Sequence, residues 1–464
     1  MLSIAEIDGL KEDGDKLLHF VRTENNGSLK RVLEKLGRLP NNFDKRGLLH
    51  LVDNESSKVR TLAVKNLAKL SDISLLNDFI EILQNDPSTD VRREAVSAIG
   101  RMRNEETIPF QEELLQDKDP EIVLQAIRGL LVFKKNGEVR KKLKTLENHP
   151  NEIVREVIKK ELKEKVQKKK REKHHESPEC MKNVVVHGDV LETLKFVPEE
   201  SIHLTFTSPP YYNARDYSIY QSYDEYLTFL EKVFKEVHRI TKEGRFFILN
   251  TSPIIIPRVS RQHSSKRYPI PYDIHPLLIK MGWEFIDDII WVKPEASVKN
   301  RVGGFLQHRK PLGYKPNCRT ESVMVYRKKT DRLLDWNIRS YDKETVQQSK
   351  VNEDFETSNV WKIDPTFDKT HSAVFPLDLC NKIVKYYSFV GDLVFDPFGG
   401  SGTFGKSALN LNRFFFLTEK EAKYVERIGE NVFQNKLSVQ TNIPPKIQSI
   451  TEFKEIIKND KNIK

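Results

Sequence analysis

The strongest constraint on how this chain folds is an internal repeat in its first third. Four segments align: Lys58 to Val64 (KVRTLAV), Asp90 to Val96 (DVRREAV), Glu121 to Ile127 (EIVLQAI) and Glu152 to Ile158 (EIVREVI). Their first apolar positions, Val59, Val91, Ile122 and Ile153, are 32, 31 and 31 residues apart. Apolar residues then recur at i, i+4, i+5 and i+8, as in Val59, Ala63, Val64 and Leu67, which is one face of an amphipathic helix. The small Ala63, Ala95 and Ala126 let neighbouring helices approach closely. Asp86-Pro87, Asp119-Pro120 and His149-Pro150 break the chain just ahead of three of the units. One unit alone cannot bury its apolar face, so such units stack.

These units resemble short-period HEAT-like helical repeats over residues of about 27 to 163. Residues 1–165 are therefore expected to form an all-α HEAT-like repeat domain, a surface for a partner rather than a seat of chemistry. A basic run follows: Lys159 to Lys173 holds nine Lys or Arg and three Glu. We assign 166–182 as a basic linker. The formal charge of the whole chain is +10. This run and Lys293 to Arg319, with seven basic residues and one acid, together exceed that surplus. The basicity is thus patchy, as contact with nucleic acid requires, and the run has a claim to face phosphates. No apolar run approaches the ~20 residues of a bilayer span, and no signal peptide is visible. Cys180, Cys318 and Cys380 are too scattered for a disulfide framework or a zinc site. A cytoplasmic protein without a structural metal is expected.

From Asn183 the pattern changes. Short β-branched and aromatic runs, such as Val184 to Val186, Ile202 to Phe206, Phe246 to Leu249, Ile289 to Val292, Ser322 to Tyr326, Leu393 to Phe395 and Phe414 to Leu417, alternate with amphipathic helices. Alternation over some 250 residues predicts a doubly wound, Rossmann-like α/β sheet. Ligands of such sheets bind beyond the carboxyl ends of the strands.

The run from Leu393 to Ser407 (LVFDPFGGSGTFGKS) is a strand, a glycine-rich turn and a helix start. It fits three patterns. Gly400 to Gly405 is GxGxxG, Gly400 to Ser407 is GxxxxGKS, and Asp396 to Thr403 (DPFGGSGT) is similar to the S-adenosylmethionine loop of amino-methyltransferases. The first two patterns cradle phosphates, which Asp396 at the strand end would repel. An ammonium and a sulfonium would be attracted instead. Glu419 ends the next strand, where an acid binds ribose hydroxyls in such folds; NAD would accept it equally well.

Thr207-Ser208-Pro209-Pro210-Tyr211 follows the strand Ile202 to Phe206. Two prolines after a strand form turns whatever their use. The residue types nevertheless fit one chemistry. An exocyclic base amine has its lone pair delocalised into the ring, and acceptors on its N–H groups expose that pair. Ser208 Oγ and the Pro209 carbonyl can be those acceptors, Pro210 stiffens the turn, and Tyr211 can stack on a flipped base. There is no Pro-Cys pair for the thiolate attack that C5-cytosine methylation needs.

With both motifs in this order, residues of about 183 to 436 resemble the β group of DNA amino-methyltransferases. The resemblance implies S-adenosyl-L-methionine as cofactor and a catalytic motif at Ser208, Pro209, Pro210 and Tyr211. It implies cofactor binding by Asp396, Pro397, Phe398, Gly400, Ser401, Gly402, Thr403 and Glu419. Asp189 of His187-Gly188-Asp189-Val190 would lie near the adenosine, and His371 and Phe375 of His371 to Pro376 would complete the pocket. In this family SPPY is associated mostly with N4 of cytosine and DPPY or NPPY with N6 of adenine; N6-adenine methylation is the alternative. The partner implied is double-stranded DNA, with restriction–modification as the usual setting. A cognate restriction endonuclease and a homodimer are further partners consistent with it.

The catalytic domain is expected at 183–440, with a target-recognition insert at about 293–356 and a C-terminal tail at 441–464. Two basic stretches lie between the catalytic strands. From them we assign DNA contact to Arg258, Arg261, Lys266, Arg267, Lys299, Arg301, Arg309 and Lys310, since Arg and Lys hold phosphates and Arg reads guanine.

Overall fold

The computed structural model describes residues 3–40, 42–163, 176–212, 220–256, 260, 262–263, 265–298, 311–312, 316–351, 355–366, 374–433 and 443–460. The chain divides into two compact units, Met1–Lys170 and Arg171–Lys464.

The first unit is helical throughout its described residues. The repeated segments fall on the helices Ser57–Leu67, Thr89–Arg101, Pro120–Leu130 and Glu152–Leu162. Val59, Val91 and Ile122 are buried, as are Ala63, Ala95 and Ala126. Thr89–Arg101 and Pro120–Leu130 cross at Gly100 and Gly129, where a Cβ on Gly129 would sit 2.9 Å from Gly100 Cα. The turns between units do more than break helices. Asp86 holds Arg60 Nε at 2.7 Å, and Asp119 holds Arg93 Nε at 2.8 Å. The equivalent arginines Arg60 and Arg92 donate to the Asn54 and Asp86 carbonyls six residues back. Arg155 does the same to His149. Each arginine thus satisfies a carbonyl of the turn that introduces its own helix.

The second unit is built on a nine-stranded sheet. Its strands are β1 Val184–His187, β2 Ile202–Thr207, β3 Thr241–Thr251, then, outside the main sheet, β4 Ile254–Ile256 and β5 Lys266–Tyr268. The series continues with β6 Trp283–Val292, β7 Thr320–Lys328, β8 Val360–Lys362, β9 Leu393–Asp396, β10 Phe414–Glu419 and β11 Lys446–Ser449. The order across the sheet is β11-β1-β10-β9-β2-β3-β7-β6-β8. Every pairing is parallel except those of β7 with β3 and β6. Central strands such as β2, β9 and β10 are buried along nearly all of their length, as strands covered on both faces must be. One core packs Tyr226, Phe234 and Phe395 on one face; the other packs Phe206, Ile383 and Phe404 on the opposite face.

This doubly wound sheet is the expected architecture, with three differences. Residues 441–464 are not simply a tail: β11 pairs with β1, and the helix Ile450–Asn459 buries Phe453 against Phe416. β7, inside the stretch assigned to a target-recognition insert, is an inner strand of the sheet. Lys266 and Arg267, expected in a strand-poor loop, lie on β5, which pairs with β4 as a separate two-stranded ribbon.

Candidate active site

The carboxyl ends of β1, β2, β3, β6, β9 and β10 and the reversed start of β7 open on one cavity of about 820 Å³. Ser208, Pro209, Pro210 and Tyr211 line it together with Asp189, Phe375, Asp396, Pro397, Phe398, Gly400, Ser401, Thr403 and Glu419. Residues from distant parts of the sequence therefore meet because β2 and β9 are neighbours.

The glycine turn begins at Asp396, which is 2 % exposed. Its Oδ1 accepts from the Thr207 hydroxyl at 2.6 Å and from the Phe398 N–H at 3.0 Å. Asp396 makes no ion pair among the described residues. Burial pushes its carboxyl up to about 8 against the pull of those two donors, and the nearby Glu419 adds to the rise. Gly402 does not line the cavity but makes the turn possible. Its φ is +78°, and a Cβ there would lie 3.0 Å from Val432. The helix Thr403–Asn410 follows directly.

Glu419 ends β10 with its carboxylate accepting the N–H groups of Gly400 and Glu421, each at 2.8 Å. Burial raises its pKa as well. Asp189 caps the short helix Val190–Leu194, its Oδ1 accepting from Leu191 N–H at 2.9 Å. Phe375 stacks on Phe206 with ring centroids 4.5 Å apart.

At the catalytic motif, Ser208 Oγ lies 3.5 Å from the Tyr211 hydroxyl and 3.5 Å from Asn250 Nδ2. Burial, with Glu321 close by, drives the Tyr211 phenol well above its ordinary range. The residues that sequence reasoning missed stand here. Asn250, Lys293 and Glu321 line the same cavity, and Glu321 bonds to Tyr211, Asn250 and Lys293. Lys293 had been counted only as part of a basic stretch, and Glu321 had been given no role. The signal that joins them is the antiparallel register of β6 and β7, which sets Trp291 opposite Glu321.

Of the assigned DNA contacts, Lys266 and Arg267 are exposed on β5, with Lys266 Nζ 4.7 Å from the Tyr268 ring centroid. Arg258, Arg261, Lys299, Arg301, Arg309 and Lys310 lie outside the described residues, as does His371.

The residues present fit a cofactor with a cationic end and a diol. Asp396 is a buried carboxyl without a cation among the described residues, and Glu419 is a second carboxylate across the glycine turn. Among the described residues, no cluster that could hold a metal ion is found, and no helix is long and apolar enough to cross a membrane.

Comparison with known proteins agrees. A DNA methylase family model matches residues 202–430, and a HEAT-repeat model matches residues 76–163. The Type II methyltransferase M.ScaI of Streptomyces caespitosus is 30% identical over 240 residues, covering 50% of this chain and 74% of that protein. The Type II β methyltransferase M.BslI of a Bacillus species is 30% identical over 252 residues, 52% of this chain. M.MwoI of Methanothermobacter wolfeii is 28% identical over 267 residues, 54% of this chain. The chain spans only 26% of M.BslI and 35% of M.MwoI. Among solved structures, a DNA modification methylase of Thermus thermophilus, complexed with S-adenosyl-L-methionine, is 26% identical. It covers 58% of this chain and 97% of its own, with a TM-score of 0.45. The match to M.ScaI extends over most of that enzyme, and the family model spans both motifs of the cavity: the chain belongs to the DNA methylases that modify N6 of adenine or N4 of cytosine.

Proposed function

We propose that the chain is a site-specific DNA methyltransferase that uses S-adenosyl-L-methionine to methylate the exocyclic N4 of a flipped cytosine. One observation carries this reading. The Ser208-Pro209-Pro210-Tyr211 turn and the Asp396 turn share a single cavity and are joined by the 2.6 Å bond from Thr207 to Asp396.

Bound S-adenosyl-L-methionine supplies a methyl group already activated by its sulfonium. The protein's task is then placement. Asp396 holds the ammonium end and, on meeting that cation, gives up the proton it carries at neutral pH. Glu419 takes the ribose hydroxyls. Ser208 Oγ and the Pro209 carbonyl accept the two N–H bonds of the target amine and turn its lone pair toward the methyl. Tyr211 offers a ring face to the base. Serine suffices for cytosine, whose amine loses its proton only after transfer. Lys266 and Arg267 contact DNA phosphates from the β4–β5 ribbon. The Type II names of M.ScaI and M.BslI support a restriction–modification setting.

Two measurements test the proposal. Isothermal titration should show S-adenosyl-L-methionine binding and no binding of ATP or NAD; the reverse sinks it. Expression with plasmid DNA, followed by modification-sensitive single-molecule sequencing, returns the base, the atom and the site. N6-methyladenine in place of N4-methylcytosine would move the target while leaving the cofactor assignment intact.

A further inference from the structure

The sheet edge that presents Ser208 also gathers polar groups from β3, β6 and β7. Because β7 runs against both neighbours, its first residues meet the ends of the other two. Glu321 stands opposite Trp291 of β6, and Ser322 opposite Thr251 of β3. Glu321 Oε1 takes the Lys293 ammonium. Its Oε2 accepts from Asn250 Nδ2 at 2.6 Å and from the Tyr211 hydroxyl at 3.3 Å. Those two donors are the same groups that lie 3.5 Å from Ser208 Oγ. The Lys293 ammonium is further held 4.5 Å from the Trp291 ring centroid.

We infer that Glu321 is a positioning residue for methyl transfer, acting through Tyr211 and Asn250 on the Ser208 hydroxyl. The inference rests on the function proposed above and names a group that the sequence motif does not contain. A serine hydroxyl has one proton to donate and two lone pairs to accept with. Were its proton turned into the cavity, it would oppose the N–H of an incoming amine. A carboxylate only accepts, so Glu321 gives the donors a direction. Tyr211 donates to Glu321, Ser208 donates to Tyr211, and the Ser208 lone pairs are left for the amine. Lys293 occupies Oε1 and so keeps Oε2 turned toward Tyr211 and Asn250. The carboxylate also fixes the Asn250 amide, since only its NH2 side can meet an acceptor. The Asn250 Oδ1 is buried and has no partner among the described residues, so the set holds one further acceptor that the protein leaves unused.

The test measures kcat, the KM for DNA, the cofactor Kd and the melting temperature for Glu321→Gln, Tyr211→Phe, the double variant and Lys293→Met. Glutamine keeps the shape of Glu321 but presents an amide donor to Tyr211 and Asn250. The expected result for Glu321→Gln is a kcat lower by roughly tenfold to a hundredfold. Its KM, cofactor Kd and melting temperature should stay near wild type. The double variant should lose little beyond the worse single variant, since both remove the same chain of donors. Lys293→Met should lower kcat in the same direction by less. A kcat within twofold of wild type, a raised KM with kcat unchanged, independent losses that multiply, or a lost fold and cofactor site would each overturn the inference. A wild-type protein that methylates no DNA defeats the proposed function as well. An active wild type with an indifferent Glu321→Gln defeats this inference alone.

Discussion

Asp392 and Asp396 stand four residues apart at the two ends of β9, both buried, in opposite surroundings. Asp392, at the amino end, pairs with the buried Arg245 guanidinium and accepts from the Tyr341 hydroxyl and from the Phe389 N–H at 2.8 Å. Arg245 also donates to the His203 carbonyl at 3.2 Å, so this cluster ties β2, β3 and β9 together. Asp396, at the carboxyl end, has a hydroxyl and an amide but no cation among the described residues. The contrast separates a charge that completes the fold from one that the fold leaves incomplete. Desolvation opposes both carboxylates; only at the amino end does the protein itself supply the compensating charge. An uncompensated buried carboxyl in a cavity marks a place for a cation from outside.

Breaking the closed end should have the largest effect. Asp392→Asn leaves the Arg245 guanidinium buried without its counter-charge and should cost about 3–5 kcal/mol of stability in denaturant titrations. Whatever remains folded should bind cofactor within about twofold of wild type. At the open end the pattern reverses. Asp396→Asn should weaken cofactor binding about a hundredfold, equivalent to about 2.7 kcal/mol, with a melting temperature no lower than wild type. If Asp396→Asn melts early instead, the two aspartates are alike and the contrast is lost.

Titration sharpens the same point. With its pKa raised from 3.8 to about 8, Asp396 keeps its proton in the folded state over a range where the unfolded chain has lost it. Its contribution to stability should therefore fall as pH rises through that window and level off above it. Cofactor affinity should move the other way, rising about tenfold per pH unit up to about 8. Near neutrality, binding should release a proton, which calorimetry in two buffers of different ionisation enthalpy will detect. The smallest effect belongs to the helical unit. Arg93 is 39% exposed where it meets Asp119, so water screens the pair. Arg93→Ala should cost about 1 kcal/mol at most and leave cofactor affinity unchanged, as denaturation and titration will show.

What was legible in the sequence is what is local. Repeats at 31 and 32 residues, the switch to alternating strands and helices, the glycine turn and the SPPY turn are all written within short windows. What depends on strand register was not. β11 escaped notice because Lys446 to Ser449 is a polar edge in which only Gln448 is buried. β8 is three residues long, with Trp361 alone facing the core. The Asn250, Lys293 and Glu321 cluster draws on three strands, and Lys293 lies 28 residues from its carboxylate. In sequence it reads as one more base in a basic stretch, whereas in the fold its charge is spent on Glu321. The repeat aspartates show the same limit: Asp86 and Asp119 read as helix breakers, but their ion pairs with Arg60 and Arg93 belong to the stacking of units.

The bond between Thr207 and Asp396 spans 189 residues, and it has a consequence for the chain as it is made. At the usual ribosomal pace of about 5–20 residues per second, the base-facing turn emerges roughly ten to forty seconds before the strand that completes its cavity. β2 and β3 can pair during that interval, but the place between β2 and β10 that β9 will occupy is still empty. A growing chain therefore exposes a groove that can take up neither cofactor nor base. Modification of the genome begins only with the finished molecule.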